Sequence, residues 1–233
     1  MPSSKPFSVV NCEQRSDAWR QSRAGVFTAS KAHDAFWKTQ KGEYRAERRN
    51  YRTQLVLERV TGKPTEDGYQ SKAMLDGIKR EALALRQYEN IHGVLVRSVG
   101  FVLDNEIPVG CSPDGMIGDF EGLVQAKCPM QATHFATVAS HRAAQSTIAG
   151  EVGLVRGCIA PEYLAQIRHE LFVTGAAWCD YFSFHPDFPE PLRSVTIRVT
   201  REDAALEQYA QDVRTFLDEV EAECEKIAGW MAA

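Results

Sequence analysis

Apolar positions recur at helical spacing early in the chain, give way to runs of β-branched residues, and return to helical spacing at the end. Residues 13–22 and 29–38 are read as helices, the second starting near Thr28, a residue suited to capping. Residues 43–61 predict a longer helix stopped by Gly62 with Pro64 beyond, and residues 72–91 another that ends before His92-Gly93. Residues 94–103 are rich in β-branched and apolar types and predict a strand. Residues 109–117 and 123–128 predict two more, joined by a hairpin turn over 118–122. Helices over 131–140 and 161–175, strands over 178–185 and 194–200, and a last helix over 202–230 complete the pattern. Helices, then strands with one helix inserted, then a helix indicate a mixed α/β fold, here expected as one domain across residues 1–233.

The chain has 233 residues, of which 44% are hydrophobic, enough to bury one sizeable core. No apolar run is long enough to span a membrane, and residues 1–8 lack the basic-then-apolar order of a secretory signal. A cytoplasmic protein with no membrane partner is expected. Six cysteines (Cys12, Cys111, Cys128, Cys158, Cys179 and Cys224) are scattered and form no CxxC pair. That argues against a zinc or iron–sulfur site and for reduced thiols.

Net charge is −4, from 27 basic and 31 acidic residues. This opposes a uniformly basic DNA-binding surface but allows a local basic groove. Arg45, Arg48, Arg49, Arg52, Lys72, Lys79 and Arg80 gather early, whereas Glu219, Glu221, Glu223 and their neighbours gather late. Solvated helix faces are the ordinary explanation of such runs.

Candidate chemistry concentrates between Cys111 and Pro129. On a strand over 123–128, Leu123, Gln125 and Lys127 share one face, and Val124, Ala126 and Cys128 the other. The second set is small and apolar and suits a core. Gln125 and Lys127 then point together into a common space. Pro113 lacks an N–H and marks a break in pairing, which lets Asp114 leave the sheet and face the same space. On the 72–91 helix, Ile78, Ala82, Leu85 and Tyr88 define a buried stripe, and Glu81 sits on or beside it. An acid there must be paired or bind a cation. Asp114 and Glu81 suit a hard cation such as Mg²⁺, with the Ala126 carbonyl completing the shell and Lys127 stabilising phosphoryl charge.

These residues resemble the phage lambda exonuclease and YqaJ-type viral recombinase nucleases, within the PD-(D/E)xK superfamily. The resemblance rests on "CSPDG" followed by "GLVQAKCP", on "RSDAWRQSRAGVFTAS" at 15–30, on "GIKREALA" at 77–84, and on "PEYLAQIRHEL" at 161–171. It implies a central mixed β-sheet flanked by helices. It also implies a Mg²⁺-dependent exonuclease, with Mn²⁺ as a substitute, that digests one strand of duplex DNA 5′-to-3′ from 5′-phosphorylated ends. A homotrimeric ring, a single-strand annealing partner and a phage or prophage origin in a bacterial host follow from the same resemblance. It assigns Glu81, Asp114, Gln125 and Lys127 to catalysis and Glu81, Asp114, Gln125 and Ala126 to the metal. Arg23, Ser30, Ser112 and Gln166 match its 5′-phosphate pocket, chemistry suited to a guanidinium fork and a helix start. A ring would let basic residues line the channel and leave the acids outside.

Two positions depart from that pattern. Arg168 stands where a second glutamine is common, and an added phosphate contact is one use for it. Gln125 stands where the resemblance expects a glutamate ligand. Gln keeps one carbonyl oxygen and loses the charge, leaving two carboxylates. The chain is therefore expected to bind metal weakly and to cleave slowly or not at all, whether Gln125 is an introduced Glu→Gln change or natural variation. A non-catalytic DNA-end-binding module with a decayed site is the alternative.

Overall fold

The computed structural model describes residues 6–65, 72–146 and 157–232. The chain forms β1 (Phe7–Val10), α1 (Asp17–Arg23), β2 (Phe27–Thr28), a 3-10 turn at Ala29–Lys31, α2 (Ala32–Phe36), α3 (Ala46–Thr61) and α4 (Lys72–His92). It continues through β3 (Phe101–Asp104), β4 (Val109–Cys111), β5 (Gly115–Ile117), β6 (Gly122–Lys127), α5 (Gln131–Ser146) and α6 (Pro161–Thr174). The last elements are β7 (Trp178–Phe184), α7 (Glu190–Arg193), β8 (Ser194–Thr200) and α8 (Leu206–Ala232).

The expected mixed sheet is present as two four-stranded sheets, ordered β1-β3-β4-β2 and β5-β6-β7-β8. Each mixes parallel and antiparallel pairs: β2 runs parallel to β4, and β6 parallel to β7. The predicted strand over 109–117 breaks at Ser112-Pro113-Asp114, and the chain passes there from the first sheet to the second. Proline cannot donate to a ladder, so the change of sheet falls where it stands. This break carries Asp114 to the junction of the two sheets.

Other boundaries moved for identifiable reasons. The first helix begins at Asp17 because Ser16 caps it, its hydroxyl accepting from the Trp19 amide at 3.2 Å. Thr28 precedes the second helical stretch but makes no side-chain cap, and the stretch splits into a 3-10 turn and a short helix. Of residues 94–103, only the end joins a strand, with an isolated bridge between Arg97 and Met116. At Gly100 the backbone passes so close to the Val10 and Cys12 carbonyls that no side chain would fit. The last helix starts at Leu206, not at 202, because Asp203 accepts the Thr200 amide at 2.8 Å and its hydroxyl at 2.7 Å, holding a turn.

The main core lies where both sheets meet α2, α3, α6 and α8. Phe27, Tyr51 and Phe216 pack there ring to ring. Each such side chain contributes about 1.5–3 kcal/mol relative to exposure. A second cluster packs α4 on the opposite face of β6 and β7 through Ala84, Tyr88, Val124, Ala126 and Phe182. The buried stripe of α4 thus runs through Ala84, Leu85 and Tyr88, and Ala82 is exposed. The side chains of Ile78, Lys72 and Lys79 lie outside the described residues.

The early arginines and late acids meet each other. Arg48 bonds Glu219 at 2.6 Å, Arg52 reaches Glu219 and Glu223 at 3.0 and 2.8 Å, and Arg59 reaches Glu221 at 3.1 Å. The solvated-face reading does not describe Arg48 and Arg52, which with Arg59 pair across the fold. They clamp α3 to α8.

Candidate active site

One cleft of about 240 Å³ gathers Arg23, Ser30, Glu81, Ser112, Asp114, Lys127 and Gln166 with Gln14, Arg15 and Trp19. Five separate segments supply these groups, the stretch from Gln14 to Ser30 giving Gln14, Arg15, Trp19, Arg23 and Ser30. The strand break supplies Ser112 and Asp114, and Gln14 fixes its shape by donating to the Pro113 carbonyl at 3.1 Å and the Val99 carbonyl at 2.8 Å. β6 supplies Gln125 and Lys127 on the face predicted from alternation. α4 supplies Glu81, and α6 supplies Gln166.

At the acid end, Asp114 Oδ2 accepts the Ala126 amide at 2.9 Å and the Gln125 side-chain amide, and stands 3.7 Å from Lys127 Nζ. Glu81 pairs with Arg15 at 3.3 Å. Arg15 is held at φ 72°, a left-handed conformation uncommon away from glycine. Arg15, Glu81 and Asp114 also line a second cavity of about 340 Å³, so the acid centre opens on two sides. Burial, then the Asp114 charge, pushes the Glu81 carboxyl above its ordinary range, with Arg15 and Lys127 opposing. Burial likewise raises Asp114 against the pull of Lys127. For Lys127, burial alone would favour the neutral amine, but the charges of Asp114, Glu170 and Glu81 outweigh it and hold the ammonium.

The anion end is wired differently. Arg23 donates to Ser30 Oγ at 3.3 Å and lies 4.0 Å from the Trp19 ring centroid, while Trp19 Nε1 donates to Ser112 Oγ at 2.7 Å. Ser30 sits in a 3-10 turn, not at the start of a full helix, and its hydroxyl accepts from Arg23. The chain turns at Gly25, φ 73°, just after Arg23 ends α1. A Cβ there would come within 2.7 Å of Arg59, and the Gly25 amide donates to Glu58 at 2.8 Å. Burial would raise Glu58, but hydrogen bonds from Gly25, Thr65 and Gln54 prevail and hold it low.

The structure brings Arg23, Ser30, Glu81, Ser112, Asp114, Lys127 and Gln166 into one cleft; Gln125 and Ala126 do not line it but adjoin it, both donating to Asp114 Oδ2. Arg168 is not part of the cleft lining; its guanidinium stands over Tyr209 at 5.9 Å. Sequence reasoning missed Gln14, Arg15, Trp19 and Glu170. Arg15, Trp19 and Glu170 lie inside motifs that carry the resemblance, which assigns them no role. Glu170 lies one helical turn after Gln166, whose amide donates to it at 3.0 Å. That i,i+4 spacing was the available signal. Glu170 is fully buried, and burial followed by the Asp114 charge pushes its carboxyl up to about 8.

Among the described residues, no three His, Cys, Asp or Glu side chains stand close enough to hold a metal as they are. The donor chemistry nonetheless fits a hard cation. Glu81 and Asp114 supply carboxylate oxygens, and the buried Gln125 Oε1 has no hydrogen-bond partner. Gln125 Nε2 occupies Asp114 Oδ2, which a cation would compete for. No described helix is long and apolar enough to cross a membrane.

An acid at a strand break, a lysine on the neighbouring strand and an adjoining arginine–serine pocket define a nuclease-type site on a mixed α/β frame. The chain belongs to the YqaJ-like viral recombinase domain family, whose pattern matches residues 18–177. Its structure is similar to the crystal structure of an alkaline exonuclease, LHK-Exo, from Laribacter hongkongensis. The TM-score is 0.75 at 31% identity, over 93% of this chain and 98% of that one. LHK-Exo in complex with dAMP matches at TM-score 0.76, with 31% identity over the same shares of the chains. A phage-related exonuclease from Haemophilus somnus 129PT shares the fold, with TM-score 0.62 and 10% identity over 88% of this chain and 96% of that one. No curated protein matches the chain.

Proposed function

We propose that the chain is an exodeoxyribonuclease that uses Mg²⁺, or Mn²⁺ in its place, to digest one strand of duplex DNA in the 5′-to-3′ direction from a 5′-phosphorylated end. The observation that carries this reading is the joining of the two residue sets in one cleft: Arg23, Ser30, Ser112 and Gln166 beside Glu81, Asp114 and Lys127. The family and the exonuclease relatives support the class, and a nucleotide monophosphate bound to LHK-Exo supports an end-directed product.

Arg23 and the Ser30 and Ser112 hydroxyls would hold the terminal phosphate by charge-assisted hydrogen bonds. Asp114, Glu81, Gln125 Oε1 and the Ala126 carbonyl would hold the cation. When bound, it would polarise the scissile phosphoryl group and acidify a water. Lys127, kept charged by its neighbours, donates to the developing negative charge; a protonated lysine cannot act as the base. Because Gln125 lacks a charge, turnover is slow relative to the Gln125→Glu variant. The chain works as one nuclease domain in a homotrimeric ring on DNA in the bacterial cytoplasm, and passes single strands to an annealing protein in phage-type recombination.

A second reading, a DNA-end-binding module without catalysis, is favoured by one contact: the Gln125 amide already fills Asp114 Oδ2. A linear duplex phosphorylated on one 5′ end, incubated with Mg²⁺ and followed on both strands, separates the two. Slow digestion of the phosphorylated strand, accelerated by Gln125→Glu, supports the exonuclease. End binding without digestion by either protein supports the module.

A further inference from the structure

Buried carboxylates elsewhere in this fold are well satisfied. Asp180 accepts the Tyr88 hydroxyl at 2.7 Å and Arg198 at 2.8 and 2.9 Å. Glu58 accepts Gly25, Gln54 and Thr65. Glu170 is the exception. It is fully buried, receives one hydrogen bond from Gln166, and keeps Oε2 without a partner; among the described residues no other carboxylate has a buried oxygen in that state. An acid left so is expensive unless something else uses it.

Its surroundings point to the use. Leu123, Gln125 and Lys127 share the face of β6 that also carries Cys179 and Tyr181 of β7, by register. α6 packs on this face: Tyr163 stacks on Tyr181 at 5.8 Å, and Leu123, Cys179, Ile167 and Leu171 share one core. Glu170 lies on α6 three positions after Ile167 and seven after Tyr163, is fully buried and bonds Gln166 of the cleft, and its carboxyl acts electrostatically on Lys127 and Cys179. Gln125 is fully buried there as well, and its Oε1 is unpartnered too. The layer thus holds two orphan oxygens, one on a neutral amide where a ligand is needed and one on an acid where none was foreseen.

We infer that Glu170 supplies the charge that Gln125 lacks, acting through Gln125 as a positioning residue. When a divalent cation displaces the Gln125 amide from Asp114, the amide turns over. Its Nε2 then donates to Glu170, and its Oε1 faces Asp114 and the cation. Glu170 would then give up its proton to solvent as the cation binds, and the site would carry three carboxylate charges. The Gln125–Glu170 pair does together what one strand-borne glutamate would do alone. This inference deepens the cation site of the function proposed above and rests on that reading of it.

Mn²⁺ binding to the intact protein, followed by electron paramagnetic resonance without DNA, tests it. Four proteins are compared: this chain, Glu170→Gln, Gln125→Glu, and the double exchange Gln125→Glu with Glu170→Gln. Glu170→Gln should weaken Mn²⁺ binding about tenfold or more while keeping a cooperative melt, and the double exchange should restore it. The restoration is a readout that a merely structural role for Glu170 would not give. Affinity unchanged by Glu170→Gln, a folded double exchange that restores nothing, or Mn²⁺ bound by Gln125→Glu but not by this chain overturns the inference. Because cation binding is read directly, the outcomes stay separate from the digestion assay. Exchange-dependent binding without digestion sinks the exonuclease reading alone. Digestion with binding indifferent to Glu170 sinks this inference alone.

Discussion

At the anion end of the cleft, Arg23 is steered by Ser30 and Trp19, and Ser112 by Trp19, so the polar groups stand satisfied in the free protein. At the acid end, Glu81, Asp114 and Glu170 crowd around Lys127 and Arg15, all three carboxyls are pushed upward, and Gln125 and Glu170 keep oxygens without partners. The first end is preorganised for a ligand and is stable without one. The second is held in an arrangement that a cation would relieve. On the proposed function, such a site would recognise a DNA end before it is chemically competent, and cation entry would separate binding from cleavage.

The largest effect should come from removing the one cation common to all three acids. Lys127→Ala takes away the donor to the developing phosphoryl charge and should slow single-turnover strand digestion by about 10²–10³-fold. Binding to a phosphorylated end should change little, because Arg23 and the serines lie at the other end of the cleft. Digestion unaffected by Lys127→Ala would place the charged donor elsewhere. Arg23→Ala should do the reverse. Loss of a charge-assisted hydrogen bond is worth about 1.5–3 kcal/mol. The preference for a 5′-phosphate over a 5′-hydroxyl should therefore drop by about tenfold or more, read by anisotropy of labelled duplexes. If both ends lose affinity equally, Arg23 contacts the duplex backbone and not the terminal phosphate.

The same contrast decided what the sequence could tell. Strand alternation put Gln125 and Lys127 on one face, and Pro113 announced the break that frees Asp114; both are local rules that tertiary structure did not overturn. The arginine–serine pocket was legible only through a resemblance, since nothing in the spacing of Arg23, Ser30 and Ser112 brings them together. Arg48 and Arg52 read as surface charge, because their shared partner Glu219 lies more than 160 positions away. Glu170 was passed over for a related reason. Its i,i+4 spacing from Gln166 is the one local signal, and the acid's place beside Lys127 becomes visible only once β6 is known to lie against α6.

The smallest expected effect is on stability, and it distinguishes the two ends by the sign of its pH dependence. Glu170 titrates at about 8 in the folded protein against an ordinary glutamate value of 4.5, so folding favours its protonated form. Its stabilising contribution is complete below the unfolded value and is lost as pH rises through 8. His169, next along α6 but packed on Phe27 behind the anion end, is shifted down by burial to about 3, so folding favours its neutral form. That contribution is complete above the ordinary 6.5 and is lost as pH falls toward 3. The cation-free protein should therefore melt lower on either side of a maximum near pH 6, and the alkaline fall should be roughly 5 °C or more by pH 9. Glu170→Gln should flatten the alkaline limb and leave the acid limb in place. Saturating Mn²⁺ should flatten the same limb, because a bound cation favours the ionised acids. An alkaline limb that persists in Glu170→Gln would assign the strain to Glu81 and Asp114, and would move the seat of the difference between the two ends from α6 to the strand break itself.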